Sequence, residues 1–236
     1  MGHTRWATHG GCTDNNSHPH TSNNKKITLV HNGIISNYKE IKDKYLFNYK
    51  FSSNTDTEVI CNLLQYLQEL YVNETFENIM EKTTNMLIGT WALIIYNKDE
   101  PDKIYFMKNE NPLLISVNNE IAILTSEPSG FMNMVDEYIL LRDKTYGYIF
   151  NNTYKIYGES KILKLIKNYE DDMKLPITFN HWMRKEIQDQ TKLNVLIDPI
   201  TKKLRYNQKS ILLNMEFIKP CKYSPFIIKL DFFILL

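Results

Sequence analysis

The chain has 236 residues, which is room for one domain with a sizeable core, or for one domain and a tail. Hydrophobic residues make up 43% and charged residues 23%, with a net charge of +1, so no global field recruits nucleic acid or an anionic membrane. Cys12, Cys61 and Cys221 share no metal or redox spacing, and no apolar leader or spanning run is present, so the expected state is a cytosolic chain with free thiols.

Residues 2–10 place Arg5, Trp6, two threonines and two histidines just before Gly10-Gly11, with no periodic apolar stripe. That composition suits a loop folded over a small polar ligand; the plainer alternative is a polar surface loop with a packed Trp. Residues 27–31 are apolar and β-branched and lead to Asn32-Gly33, a strand followed by a turn, where glycine also allows close backbone approach. Thr55-Asp56-Thr57-Glu58 has capping-box spacing, and apolar residues follow it at helical intervals to Tyr71. A second helix is predicted from Thr75, with Phe76, Ile79, Met80, Thr83 and Leu87 on one face.

After Gly89 the period shortens. Strands are predicted at residues 90–96, 103–107, 113–117, 120–124, 138–141, 147–150 and 153–157, with tight hairpins at Asn118-Asn119 and Asn151-Asn152. Helices first and closely spaced strands afterwards predict an α+β chain with mostly antiparallel sheets packed on helices. Residues 192–236 carry eight Lys or Arg against three Asp or Glu, and residues 226–236 are strongly apolar yet too short to span a bilayer. The charge shift marks a boundary at Gln190, with a domain over residues 1–190 and an unrelated basic and apolar tail over residues 191–236.

Several side chains invite two readings. Asn32-Gly33 is by itself a turn signal, and Asp56 alone is a first-turn acid favoured by the helix dipole. His3, His9, His18, His20 and His31 match no known ligand spacing, so no metal is expected, and His18-Pro19-His20 reads as a structural brace. Cys61 falls on the apolar helix and reads as core.

His3-Thr4-Arg5-Trp6-Ala7-Thr8-His9-Gly10 resembles the glutamine loop of class II glutamine amidotransferases. The form with Trp6-Ala7-Thr8-His9 is most similar to the glutamine–fructose-6-phosphate aminotransferase family. Four further stretches fit in order: His18-Pro19-His20, then His31-Asn32-Gly33-Ile34-Ile35-Ser36-Asn37-Tyr38, then Ser53-Asn54-Thr55-Asp56-Thr57-Glu58, then His181-Trp182-Met183-Arg184-Lys185-Glu186-Ile187. The last looks like the end of the glutaminase domain, and the resemblance covers roughly residues 1–190.

The resemblance implies the αββα sandwich of the N-terminal-nucleophile hydrolases, here lacking the first strand or strands, so that sheet edges would stand unpaired. It implies glutamine as substrate, with Arg5 on the α-carboxylate through a two-pronged guanidinium contact and Asp56 on the α-ammonium. Trp6 and Thr8 belong to the closing loop and His9 supports it, while Asn32 and Gly33 form the oxyanion hole. The full-length family transfers the glutamine amide nitrogen to fructose 6-phosphate, giving glucosamine 6-phosphate, without a cofactor. The family's nucleophile is an N-terminal cysteine, whereas this sequence opens Met1-Gly2 and nothing in residues 191–236 resembles a sugar domain. The expectation is a glutaminase-domain fragment without its nucleophile, inactive alone; the alternative is a non-catalytic remnant that binds glutamine or a partner. Nucleic acid and membrane are not expected partners, and an oligomer is left open.

Overall fold

The structure, a computed structural model, describes residues 1–4, 10–132, 134–164, 195–197, 204–206 and 232–235. In chain order the elements are β1 (Gly2–His3), β2 (His20–Thr21), β3 (Ile27–Ile35), α1 (Tyr38–Tyr45), α2 (Asp56–Leu70), α3 (Phe76–Met86), β4 (Gly89–Asn97), β5 (Lys103–Asn109) and β6 (Leu114–Val117). There follow β7 (Ala122–Thr125), β8 (Glu137–Leu141), β9 (Thr145–Phe150), β10 (Thr153–Tyr157), β11 (Ser160–Lys164), β12 (Val195–Ile197), β13 (Leu204–Tyr206) and β14 (Phe232–Leu235). They fall into two units. One is Met1–Lys167 with Lys229–Leu236; the other is Asn168–Ile228, whose described residues are the antiparallel β12–β13 pair.

The first unit holds two six-stranded sheets, in the orders β1-β14-β7-β6-β8-β11 and β10-β9-β5-β4-β3-β2. Every pairing between them is antiparallel, as short turns between strands require. Alternation along each strand sorts the core. Leu29, Ile35, Trp91, Leu93, Ile95, Tyr105 and Met107 face the helices and pack on Ile60, Leu63, Leu64, Ile79 and Met80. Val30, Ala92, Ile94, Phe106 and Ile149 face the other way, onto Ile115, Leu124 and Ile139 of the first sheet. Each fully buried Leu or Ile contributes about 1.5–3 kcal/mol, so these two layers hold the sheets together. The outer face of the first sheet carries a smaller cluster, Leu114, Ile123, Phe131 and Val135, beside the short 3-10 turn Pro128–Phe131. Among the described residues the helices therefore cover one sheet, and only that turn covers the other.

α2 starts as its spacing predicts: Thr55 is the cap and its hydroxyl accepts from the Glu58 N–H (3.3 Å). The reciprocal half of the box is not made. Glu58 stays buried and accepts instead from the N–H and hydroxyl of both Ser52 and Ser53 (2.7–2.9 Å), pinning the loop that enters the helix. α3 is capped likewise by Thr75 on the Asn78 N–H. α1 has no counterpart in the sequence reading, because Ile41 is its one fully buried residue and its other inward positions are Tyr38 and Tyr45. The hairpin expected at Asn151-Asn152 forms, with both residues at positive φ (46° and 55°), the conformation of a type I′ turn.

Two expectations are corrected. β3 does not stop at Asn32-Gly33 but runs on to Ile35, with Asn32 opposite Ala92 and Gly33 opposite Trp91. Gly33 sits at φ +139°, and a Cβ there would lie 2.0 Å from the Thr90 carbonyl oxygen, so this glycine serves a close strand contact rather than a turn. The sheet edge beside β1 is also not open: β14 pairs with β1 on one side and β7 on the other, Phe233 lying opposite both Gly2 and Thr125.

Candidate active site

The site grows from the free end of β3. β2 pairs with this strand at Thr28 and Leu29, and among the described residues no strand pairs with the edge beyond. Hydrogen bonds to β4 run through the even-numbered residues, as shown at either end by Lys98 N–H to the Lys26 carbonyl (2.9 Å) and Ser36 N–H to the Ile88 carbonyl (2.8 Å). Odd-numbered N–H groups are then left for other acceptors. His31 N–H donates to His18 Nδ1 (3.2 Å), and Ile35 N–H donates to Asp56 Oδ2 (2.8 Å). Gly33 stands between them in the same set, and its φ re-aims the peptide that carries its N–H.

Asn32 is half-buried beside it, and its side-chain oxygen accepts from His3 Nε2 (2.8 Å). The amide nitrogen is thereby directed away from His3. A side-chain amide and a re-aimed backbone N–H on consecutive residues are the donors an oxyanion hole needs. Asp56 is 3% exposed at the first turn of α2, and it reaches the edge two residues further on, about 7 Å along an extended strand. An extended glutamine spans a similar distance from its amide to its ammonium.

The surrounding histidines are held by specific contacts. His31 is buried; its Nε2–H donates to the Thr90 carbonyl (3.4 Å), which leaves Nδ1 to accept from the Thr57 hydroxyl (3.1 Å). Burial pushes the His31 pKa below its ordinary value, against the opposite pull of Asp56 and the Thr90 carbonyl. His18 stacks on His3 with ring centroids 4.1 Å apart, and His20 meets Thr55 Oγ1 (3.2 Å). Among the described residues no group of three His, Cys, Asp or Glu is arranged to hold a metal ion. Cys61 lies fully buried on α2 and burial keeps its thiol protonated, which excludes it as a nucleophile.

Of the residues singled out in the sequence, Asn32, Gly33 and Asp56 meet along one strand edge. Arg5, Trp6, Thr8 and His9 lie outside the described residues, as does the stretch His181–Ile187. His3 was visible only as one more histidine of the loop; no local signal places it on Asn32, 29 residues away.

With this geometry in hand, comparison with known proteins defines the class. Residues 3–133 match the glutamine amidotransferase domain family, more than half of the chain, and the chain belongs to that family. It is 42% identical over 196 residues to the probable glutamine–fructose-6-phosphate aminotransferase (isomerizing) of Acanthamoeba polyphaga mimivirus, covering 80% of this chain and 31% of that protein. The enzyme of the same name from Thermococcus kodakarensis is 37% identical, with 81% and 33% covered, so this chain spans about a third of the length of these relatives. Among solved structures, the glutamine phosphoribosylpyrophosphate amidotransferase of B. subtilis superposes with a TM-score of 0.52 at 22% identity, over 66% of this chain and 34% of that one. That likeness is one of fold: the paired sheets and their helices form the α+β sandwich of the N-terminal-nucleophile hydrolases.

Proposed function

We propose that this chain is the glutamine-handling portion of a glutamine–fructose-6-phosphate aminotransferase, which moves the amide nitrogen of glutamine to fructose 6-phosphate and yields glucosamine 6-phosphate for UDP-N-acetylglucosamine synthesis. The observation that carries the reading is the row along β3: the Asn32 amide and Gly33 N–H at one position and the Asp56 carboxylate two residues beyond. In this reading Asn32 and Gly33 stabilise the tetrahedral oxygen, Asp56 takes the α-ammonium and Arg5 the α-carboxylate. Trp6, Thr8 and His9 close the pocket. Fructose 6-phosphate binds elsewhere in the full-length enzyme, no cofactor is needed, and two free thiols among the described residues fit a reducing cytosol. No helix among the described residues is long and apolar enough to cross a membrane.

A second reading, binding of glutamine without turnover, is favoured by the burial of Cys61, which removes one thiol from consideration. Calorimetric titration with L-glutamine tests what both readings share: saturable binding that Asp56→Asn weakens supports them, and no binding rejects both. Ammonia release separates them when it is measured on the chain extended by the cysteine-initiated segment the family carries: release supports the first reading, and none at full glutamine binding supports the second.

A further inference from the structure

We propose that His3 is a positioning residue that sets the polarity of the oxyanion hole: the tautomer of its imidazole decides whether Asn32 presents its amide nitrogen or its amide oxygen to the ligand. The proposal rests on the assignment of Asn32 to that hole. The two ends of a side-chain amide have nearly the same shape, so its orientation is decided by the hydrogen bonds around it. Here Asn32 Oδ1 lies 2.8 Å from His3 Nε2. A carbonyl oxygen only accepts, so Nε2 carries the proton and the amide N–H groups face away, where they can donate. With the proton on Nδ1 instead, Nε2 would offer a lone pair. The amide would then turn its nitrogen to His3 and face the site with an oxygen that repels a developing negative charge.

The surroundings hold the ring in place. The His3 backbone is paired through β1 to β14, opposite Phe232. Its ring stacks on His18 at 4.1 Å with 20° between planes. His18 is anchored in turn, because its Nδ1 accepts from the His31 N–H (3.2 Å). The contacts thus return to the residue preceding Asn32, and β3 supplies both the amide to be oriented and the donor that fixes the stack orienting it.

The test is made on the full chain with uniform ¹⁵N labelling and two ligands. L-Methionine sulfone carries tetrahedral sulfone oxygens where the reacting oxygen would stand, whereas L-norvaline offers only the amino-acid end. Long-range ¹H–¹⁵N correlation spectra should show His3 protonated on Nε2. His3→Leu should weaken sulfone binding roughly 3- to 10-fold, the loss of one oriented hydrogen bond, and leave norvaline binding unchanged. His3→Gln, whose amide N–H can also donate to Asn32 Oδ1, should restore the sulfone. An Nδ1-protonated His3, or an unchanged sulfone-to-norvaline ratio in His3→Leu, overturns the proposal. If the unaltered chain binds neither ligand, the glutamine reading fails. The His3 tautomer, and the Asn32 side-chain amide shift between the unaltered chain and His3→Leu, still decide this proposal.

Discussion

A Cβ on Gly33 would stand 2.0 Å from the carbonyl oxygen of Thr90, the residue that also takes the His31 ring proton. Backbone at φ +139° and a strand contact this close leave no room for a side chain. Gly33→Ala is therefore expected to destabilise the chain by at least about 1–3 kcal/mol, the cost of a residue held in such a conformation. Urea denaturation measures it; a midpoint equal to that of the unaltered chain would remove the close-approach account of this glycine.

Asp56 separates binding from stability. Its Oδ2 accepts from the Ile35 N–H, and the oxygen of an asparagine amide can do the same. Asp56→Asn should then cost the fold no more than about 1 kcal/mol, mostly through the lost charge at the α2 N-terminus. Glutamine binding should fall by about 1.5–3 kcal/mol, as when a charged hydrogen bond is removed. Calorimetry and thermal unfolding on one preparation check both halves; equal losses in the two would reduce Asp56 to a structural brace.

Stability should depend on pH in two stages. Burial holds the His31 pKa below 6.5 in the folded chain, so the unfolded chain binds a proton that the folded one excludes. Its contribution is complete above about pH 6.5 and is lost as the pH falls below that value. For Glu58, burial alone would raise the pKa, but the four donors on Ser52 and Ser53 outweigh it and hold the carboxyl below 4.5. That contribution is present above 4.5 and lost on further acidification. Urea midpoints between pH 8 and 4 should slope downward from about 6.5, and His31→Gln should flatten the upper limb. A flat profile between pH 7.5 and 5.5 in the unaltered chain contradicts a buried neutral His31.

Among the described residues β1 meets its sheet only through β14. Removing residues 232–236 should expose the Gly2 and His3 amides and the β7 edge to solvent exchange, while the α2 amides stay protected. Hydrogen exchange followed by mass spectrometry reads this directly. Continued protection of β1 would show that its place does not depend on the last strand.

The cysteines should react unequally. Cys12 is exposed, whereas Cys61 is enclosed in the helix-facing core with its thiol kept protonated. Brief alkylation of the native chain, mapped by peptide mass, should mark Cys12 and spare Cys61 until denaturant is added. Early labelling of Cys61 would mean that α2 opens far more readily than its packing allows.

Much of the architecture is written locally. Thr55 and Thr75 start their helices because a hydroxyl three residues ahead of an unpaired N–H is a short-range arrangement. Asn151-Asn152 turn because asparagine tolerates positive φ, and alternation along residues 90–96 divides them between two cores. Asn32, Gly33 and Asp56 were singled out through the motifs that hold them, not through any spacing of their own, and the fold places Asn32 and Gly33 on β3 and the Asp56 carboxylate against the same strand at Ile35. α1 was not, because its buried stripe is one isoleucine flanked by tyrosines.

Other features depend on what arrives from far along the chain. An Asn-Gly pair is a turn when nothing lies beside it; here β4 pairs across it and the strand continues to Ile35. Glu58 has capping-box spacing, yet Ser52 and Ser53 offer four donors and take its carboxylate away from the cap. The polarity of Asn32 rests on His3, and the strand on which His3 lies is held by residues near the other end of the chain. Caps, turns and alternating faces follow from the residues alone, since those are settled by steric and hydrogen-bond preferences among near neighbours. Tertiary structure alone decided which donor meets which acceptor at the site, because a side-chain amide or an imidazole takes its orientation from whichever partner packing brings within reach.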